Sequence, residues 1–442
     1  MDSAIGYTGE PRPELADLDL CTRCGLCEQA CPTYRVLHFE PDSPRGRVFL
    51  MKQVAEGSAA IDANLADHLY QCLGCRACET VCPAGVPFGK LLERGRYQIE
   101  QQGELSPHRR GWRSFRALAF EHVLPSPWLF QTAMLPASAL QQVPPFLRFV
   151  QSLPLPKRLA QLVRMIPRNR ATTGSVGRDW KIAPAIGKRR ARVGLFLGCV
   201  MRSLFGNVHQ ATVRVLTHNG CEVVIPKGQW CCGALNVHAG ERDFAVKMAA
   251  RNVRAFSNLG LDAIIVNSAG CGATMKEYAE LLPGDGSAGD FAAKVRDVNE
   301  FVGEVALRPT LHTLRGRVTY QDACHLAHGQ RVRRQPRDLL RQIPGLEYIE
   351  LRGADECCGA AGVYSVTHPD LASSILERKL DDIKASGADI VATANPGCAM
   401  QLQAGLLTRK VDARVCHVIE LVAESYSAGH MWRAIGKSPD WP

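Results

Sequence analysis

The chain has 442 residues, 18 of them cysteine, and a formal net charge of +10. That length allows two to four domains, and cysteines in metal-ligand spacings suit thiolates in a reducing compartment, not a secreted disulfide scaffold. The charge is concentrated: residues 104–192 hold sixteen Lys or Arg against Glu104, Glu121 and Asp179, which argues against a uniformly basic nucleic-acid binder.

The N-terminus, MDSAIGYTGEPRPELADLDL, has no basic n-region, apolar h-region or twin-arginine pair, so export is not expected. Two copies of one pattern follow, CTRCGLCEQACP at 21–32 and CLGCRACETVCP at 72–83, each reading C-x2-C-x2-C-x3-C-P. Three thiolates at that spacing wrap one cubane, and the fourth reaches a second cluster. The pattern assigns Cys21, Cys24, Cys27 and Cys82 to one [4Fe–4S] centre, and Cys72, Cys75, Cys78 and Cys31 to the other. Zinc ribbons use paired C-x2-C units instead of a triplet with a fourth Cys before Pro. Forty residues separate Cys31 from Cys72, too many for a compact two-hairpin ferredoxin. Ser43-Pro44 caps a helix over RGRVFLMKQVAEG, and LADHLYQ leads into the second run, so residues 1–103 are expected to form a helical ferredoxin domain.

Residues 104–190 read as a basic, Pro-rich helical docking segment. From His122 to Leu147 no charged residue occurs, yet Pro125, Pro127, Pro136, Pro144 and Pro145 and three glutamines interrupt the stretch. It offers no transmembrane span; short surface helices are expected, one starting at Ser126-Pro127. ATTGSVG at 171–177 reads as a linker.

Residues 191–430 contain a duplication, divided as 191–310 and 311–430. RVGLFLGC and RVTYQDAC end at cysteines 125 residues apart, QWCCGA and ECCGAA are offset by 126, and NSAGCGATM and ANPGCAM by 127. Strand-like runs alternate with helical ones, which predicts α/β units with mainly parallel sheets and cysteines gathered at one sheet edge. Each repeat offers four thiols: Cys199, Cys231, Cys232 and Cys271, then Cys324, Cys357, Cys358 and Cys398. Cys221 and Cys416 fall in apolar contexts and read as core residues, and His238, His325 and His328 as satisfied structural histidines. Gly284, Gly286 and Gly289 read as a surface turn, and no dinucleotide fingerprint, P-loop or metal-hydrolase motif is present.

The paired-cysteine repeats resemble the CCG domains of heterodisulfide reductase B and D subunits. Where that family continues C-x2-C to bind a noncubane cluster with five cysteines, this chain has Thr274 and Gln401. Three readings of the repeat thiols therefore stay open: an altered cluster or other metal site, a redox-active thiol set without iron, and a vestigial scaffold.

Across nearly its whole length the chain resembles the iron–sulfur subunits of bacterial glycolate oxidases, through CGLCEQACPTYRVL, DSPRGRVFLMKQVAEG, CLGCRACETVCPAGVPFG, QWCCGALNVHAGE, ACHLAHGQRV and CCGAAGVYS. The resemblance implies an α+β multidomain fold, with an N-terminal helical ferredoxin holding two clusters and two duplicated α/β CCG domains. It implies a non-catalytic chain in a 2-hydroxy-acid dehydrogenase complex that oxidises glycolate to glyoxylate. FAD resides on partner flavoprotein subunits, and electrons pass through the two [4Fe–4S] clusters toward quinone or another acceptor. The expected location is the cytoplasm, with peripheral contact to the cytoplasmic face of the inner membrane and no nucleic-acid partner. Related iron–sulfur subunits of lactate and glycerol-3-phosphate dehydrogenases share the architecture, and a disulfide-reducing subunit is the alternative from a different class.

Overall fold

The computed structural model describes residues 6–102, 118–123, 126–155, 157–167 and 182–427. In the N-terminal part, α1 (Leu26–Ala30) and α4 (Ala77–Val81) carry the third cysteine of each run, and α2 (Pro44–Ala55), α3 (Ala63–Gln71) and α5 (Phe88–Gln102) build the support. Helix α2 starts where the sequence indicates, with Ser43 Oγ accepting from the Gly46 N–H at 2.9 Å and Pro44 in the first turn. Val48, Met51 and Val54 recur on its inner face and meet Leu65 and Leu69 of α3 and Leu91, Leu92 and Ile99 of α5 in one apolar core.

The middle segment contains α6 (Pro127–Gln142), α7 (Pro144–Ser152) and α8 (Lys157–Arg164). Ser126 caps α6 through the Leu129 N–H, as the Ser-Pro pair predicts, but the helix continues through Pro136 instead of breaking there. Among the described residues no helix is long and apolar enough to cross a membrane. The 171–177 linker lies outside the described residues.

The duplication emerges as two sheets of matching order. Strands β1 (Ile182–Ala183), β2 (Ala191–Phe196), β3 (Cys221–Val224), β4 (Ala263–Val266) and β5 (Val295–Asp297) lie in the order β1-β3-β2-β4-β5. Strands β6 (Gly316–Tyr320), β7 (Leu346–Ile349), β8 (Ile390–Thr393) and β9 (Arg414–His417) lie in the order β7-β6-β8-β9. All pairings are parallel except β1 with β3, so the end of the sequence-defined middle segment joins the first sheet. Register repeats too: Val193 pairs Val223 and Ala263, and Val318 pairs Tyr348 and Ile390.

Helices α9 (Val200–Leu204), α10 (Gly206–His218), α11 (Arg242–Phe256) and α12 (Ala269–Lys276) connect the first sheet, and α13 (Pro369–Ser386), α14 (Pro396–Thr408) and α15 (Val418–Ser427) belong to the second. One core joins the repeats, with Val208, Val215 and Leu216 of α10 and Val418, Ile419 and Val422 of α15 buried together. Cys221 and Cys416 sit in β3 and β9 as buried core residues, as their contexts predict. Gly284 lies in the expected exposed turn (φ 84°), but Gly286 and Gly289 do not: Gly286–Lys294 is helical, because Asp285 caps it through the Ser287 N–H and Ala288 and Phe291 are buried beneath it.

Candidate metal centres

The two N-terminal cysteine runs fold alike. In each, the residue before the second Cys and the one after it are left-handed: Arg23 (φ 58°) and Gly25 (φ 85°), then Gly74 (φ 65°) and Arg76 (φ 63°). Alternating handedness turns successive N–H groups into one concavity, which favours a bound anion; the Gly74 N–H already donates to Cys72 Sγ at 3.3 Å. A one-turn-plus helix then carries the third Cys, and the fourth ends it in matching extended backbone, Cys31 at φ −86°, ψ 112° and Cys82 at φ −79°, ψ 111°.

Helices α1 and α4 pack against each other. That packing brings Cys31 of the first run to Cys72, Cys75 and Cys78 of the second, around a recess of about 290 Å³ also lined by Thr33, Pro44, Arg47 and Phe88. Cys21, Cys27 and Cys82 lie together on the edge of the same module's core, and Cys24 is exposed. Burial pushes the Cys27 thiol up to about 11, and pushes Cys75 and Cys78 well above the ordinary value.

The arginines of the DSPRGR block have no role legible in the sequence. Arg47 is fully buried beside the recess and donates to His68 O (2.8 Å), Thr33 Oγ1 (3.2 Å) and Asp42 Oδ1 (3.2 Å). Burial opposes its charge, yet the Cys72 and Cys31 sulfurs and Asp42 outweigh it and hold the guanidinium above its ordinary pKa. Arg96, also buried, donates to Leu69 O (2.8 Å) and Cys72 O (2.6 Å) on this module and to His238 O (2.7 Å) on the first repeat. A thiolate-ligated iron–sulfur cluster is anionic, so a recess framed by four thiols, inward N–H groups and a buried guanidinium fits one. Among the described residues no three His, Cys, Asp or Glu side chains are placed to close on one metal ion; a four-iron cluster spreads its thiolates over four irons.

The repeat thiols form two chains of contacts. Cys199 Sγ lies 3.7 Å from Cys231 Sγ, and hydrogen bonds link Cys231 to Cys232 and Cys232 to Cys271. In the second repeat the same order runs Cys324, Cys357, Cys358, Cys398. Donation from Cys199 and Cys232 holds Cys231 below its ordinary value, and donation from Cys357 and Cys398 does so for Cys358. The Gly after each vicinal pair is left-handed, φ 81° at Gly233 and 82° at Gly359, and sends its N–H to Cys231 Sγ and Cys357 Sγ at 3.4 Å. A Cβ on Gly359 would stand 2.6 Å from Ala372 O of α13, so the glycine is required by the facing helix as well as by the sulfurs.

The two thiol sets differ in surroundings. Cys324 and Cys357 pack with Cys75, Leu73 and Tyr364, directly against the Cys72 run. Cys199 and Cys231 pack under Trp230, Phe120 and Phe130, with Phe130 edge-on to Trp230 at 6.3 Å. At the departure positions, Thr274 is buried on α12, and Gln401 Oε1 accepts from Gln161 Nε2 of α8 at 3.0 Å. The histidines are held: His238 Nδ1 lies 2.8 Å from Glu93 Oε1, His325 Nε2 2.9 Å from Gly74 O, and His328 Nδ1 2.8 Å from Thr80 Oγ1. All three bonds tie a repeat to the cysteine-run module.

Comparison with known proteins matches residues 17–86 to a 4Fe-4S dicluster domain and residues 193–276 and 318–403 to a cysteine-rich domain, CCG. The chain is 37% identical over 439 residues to the probable glycolate oxidase iron-sulfur subunit of Bacillus subtilis (strain 168), covering 95% of this chain and 96% of that one. It is 32% identical over 416 residues to the glycolate oxidase iron-sulfur subunit of Escherichia coli (strain K12), covering 92% and 94%. It is also 28% identical over 437 residues, covering 93% and 95%, to a subunit of the dihydromethanophenazine:CoB–CoM heterodisulfide reductase of Methanosarcina acetivorans.

Proposed function

The chain belongs to the family of glycolate oxidase iron–sulfur subunits, and from that premise we propose that it is the electron-carrying subunit of a flavin-dependent 2-hydroxy-acid dehydrogenase with glycolate as substrate. FAD-binding partner subunits carry out the oxidation, this chain relays electrons toward a quinone, and it works at the cytoplasmic face of the membrane holding that acceptor. The observation that carries the reading is the recess where Cys31 meets Cys72, Cys75 and Cys78 beside the buried cation of Arg47.

When bound, a four-iron cluster supplies one-electron storage, which lets a two-electron flavin discharge stepwise. The residues set the conditions for that chemistry. Cys21, Cys24, Cys27 and Cys82 hold the first centre, and Cys72, Cys75, Cys78 and Cys31 the second. Exposure of Cys24 leaves the first centre approachable by a partner, whereas the second set is buried throughout. Arg47 and the N–H groups of the left-handed loops offset negative charge at the second set, and Phe88 and Pro44 exclude water.

Anaerobic co-purification with the partner subunits, iron counting and EPR test the proposal. About eight irons per chain are expected from two cubanes. Cys31→Ser and Cys72→Ser should disturb one EPR signal and Cys21→Ser and Cys82→Ser the other; pairing of Cys31 with Cys21 instead would refute crossed ligation. Zinc or empty thiols at these positions would refute the proposal outright. Turnover of the complex with glycolate against D-lactate decides the substrate. A second reading, a disulfide-reducing subunit, draws support from Cys324 and Cys357 packing on Cys75. It requires disulfide-dependent turnover by the chain itself and more iron than two cubanes hold.

A further inference from the structure

Among the described residues, helices α6, α7 and α8 have one face tied to the body and one face bare. On the inner side Phe130 packs against Trp230, Gln141 Nε2 donates to Pro167 O at 3.0 Å, Leu147 is fully buried, and Gln161 holds Gln401. On the outer side Trp128 (69% exposed), Leu135 (60%), Phe146 (53%), Phe149 (59%), Leu159 (47%) and Leu162 (49%) face outward. Phe146 and Phe149 stack on each other at 6.4 Å, with exposed Arg148 between them in sequence. Single exposed apolar side chains are ordinary, whereas here six large ones are concentrated on three successive helices.

Charge selects the occupant. From His122 to Arg178 the sequence contains seven Lys or Arg and no Asp or Glu. An apolar face set in a purely cationic segment is complementary to a surface with an apolar interior and anionic head groups. Its aromatic members are the side chains that settle at a water–lipid boundary. The helices are 8 to 16 residues long, suited to lying in that boundary and not to crossing it.

We propose that the outer face of α6–α8 docks on an anionic lipid bilayer, with Trp128, Phe146 and Phe149 entering the head-group boundary and Arg148 meeting lipid phosphate. This deepens the function proposed above, resting on it only for the use of docking: a membrane-borne acceptor. Because the inner face of the same helices covers Cys231 and holds Gln401, docking would bring the cysteine-rich repeats, with little chain between, to the lipid.

Flotation of the anaerobically purified full-length chain, alone and with its flavoprotein subunits, tests this. Vesicles of phosphatidylcholine alone are compared with equal parts phosphatidylcholine and phosphatidylglycerol. The chain should float with the anionic vesicles, detach as salt rises, and bind about tenfold less after Phe146→Ser/Phe149→Ser. Arg148→Glu, an exposed change that leaves the fold alone, should shift detachment to lower salt. Failure of the wild type to float, or flotation indifferent to both variants, overturns the proposal. Loss of the flavoprotein subunits from Phe146→Ser/Phe149→Ser without wild-type flotation also overturns it, assigning the face to a protein partner. A chain that floats as expected but shows no reducible EPR signal supports docking and refutes the electron-carrying function instead.

Discussion

Arg47 shows what a single side chain does here. It is buried with Asp42, and its guanidinium serves a carboxylate, a hydroxyl and a carbonyl at once, geometry a lysine's point charge does not reproduce. Arg47→Met should destabilise the N-terminal module by about 3–5 kcal/mol, because Asp42 loses its charge partner in a dry site. Denaturant-driven iron release checks this, and adding Asp42→Asn should recover part of the loss. Glycines give a paired test. Gly359→Ala forces a Cβ into Ala372 O in a left-handed backbone and should cost about 1–3 kcal/mol or more. Gly289→Ala, in a helix with open space around the site, should instead gain about 0.5–1 kcal/mol. Urea unfolding of both variants compares the signs. A Gly follows each Cys pair in the sequence, but the facing helices α11 and α13 that require it come only with the fold.

At the level of elements, α10 fixes the loops that present the first thiol set. His209 Nε2 donates to Leu197 O, two residues before Cys199, and its Nδ1 accepts from Asn267, just after β4 and four residues before Cys271. Thr212 braces the same Asn267 from the next turn of α10. Both ring nitrogens are thus occupied by the neutral form, and burial pushes the His209 pKa down from 6.5 to about 4. Between those values the unfolded chain binds a proton that the folded one does not, so stability is full above about pH 6.5 and falls as pH drops toward 4. His209→Gln should flatten that slope, measured as the unfolding midpoint across the same pH window. Nothing in the sequence singles out His209; only the meeting of α10 with the ends of β2 and β4 reveals its partners. The reverse holds for α2 and α6, whose starts at Ser43-Pro44 and Ser126-Pro127 are local caps and needed no tertiary information.

In the whole molecule, the cysteine-run module is clamped onto both repeats by polar contacts: Arg96 to His238 O, Tyr364 OH to Gln71 O at 2.9 Å, and Arg76 to Glu277 at 2.6 Å. Arg96→Leu strips buried carbonyls of Leu69, Cys72 and His238 of their donor and should cost about 3 kcal/mol or more, splitting a shared unfolding transition. Arg94→Leu, removing a partly exposed pair with Glu14, should stay within about 1 kcal/mol. Calorimetry with iron release as a second probe separates them. The two ferredoxin-type cysteine runs, the crossed assignment of their fourth cysteines, the duplicated α/β repeats and the family resemblance could all be read before any fold was known, because ligand spacing, caps and a near-constant offset of 125 to 127 residues are written along the chain. Only the folded molecule reveals that Arg47 and Arg96 lie buried beside the Cys72 run, and that one repeat's thiols rather than the other's adjoin Cys75. Those are contacts between segments tens to hundreds of residues apart, and such pairings are set by which helix faces pack together rather than by any local pattern.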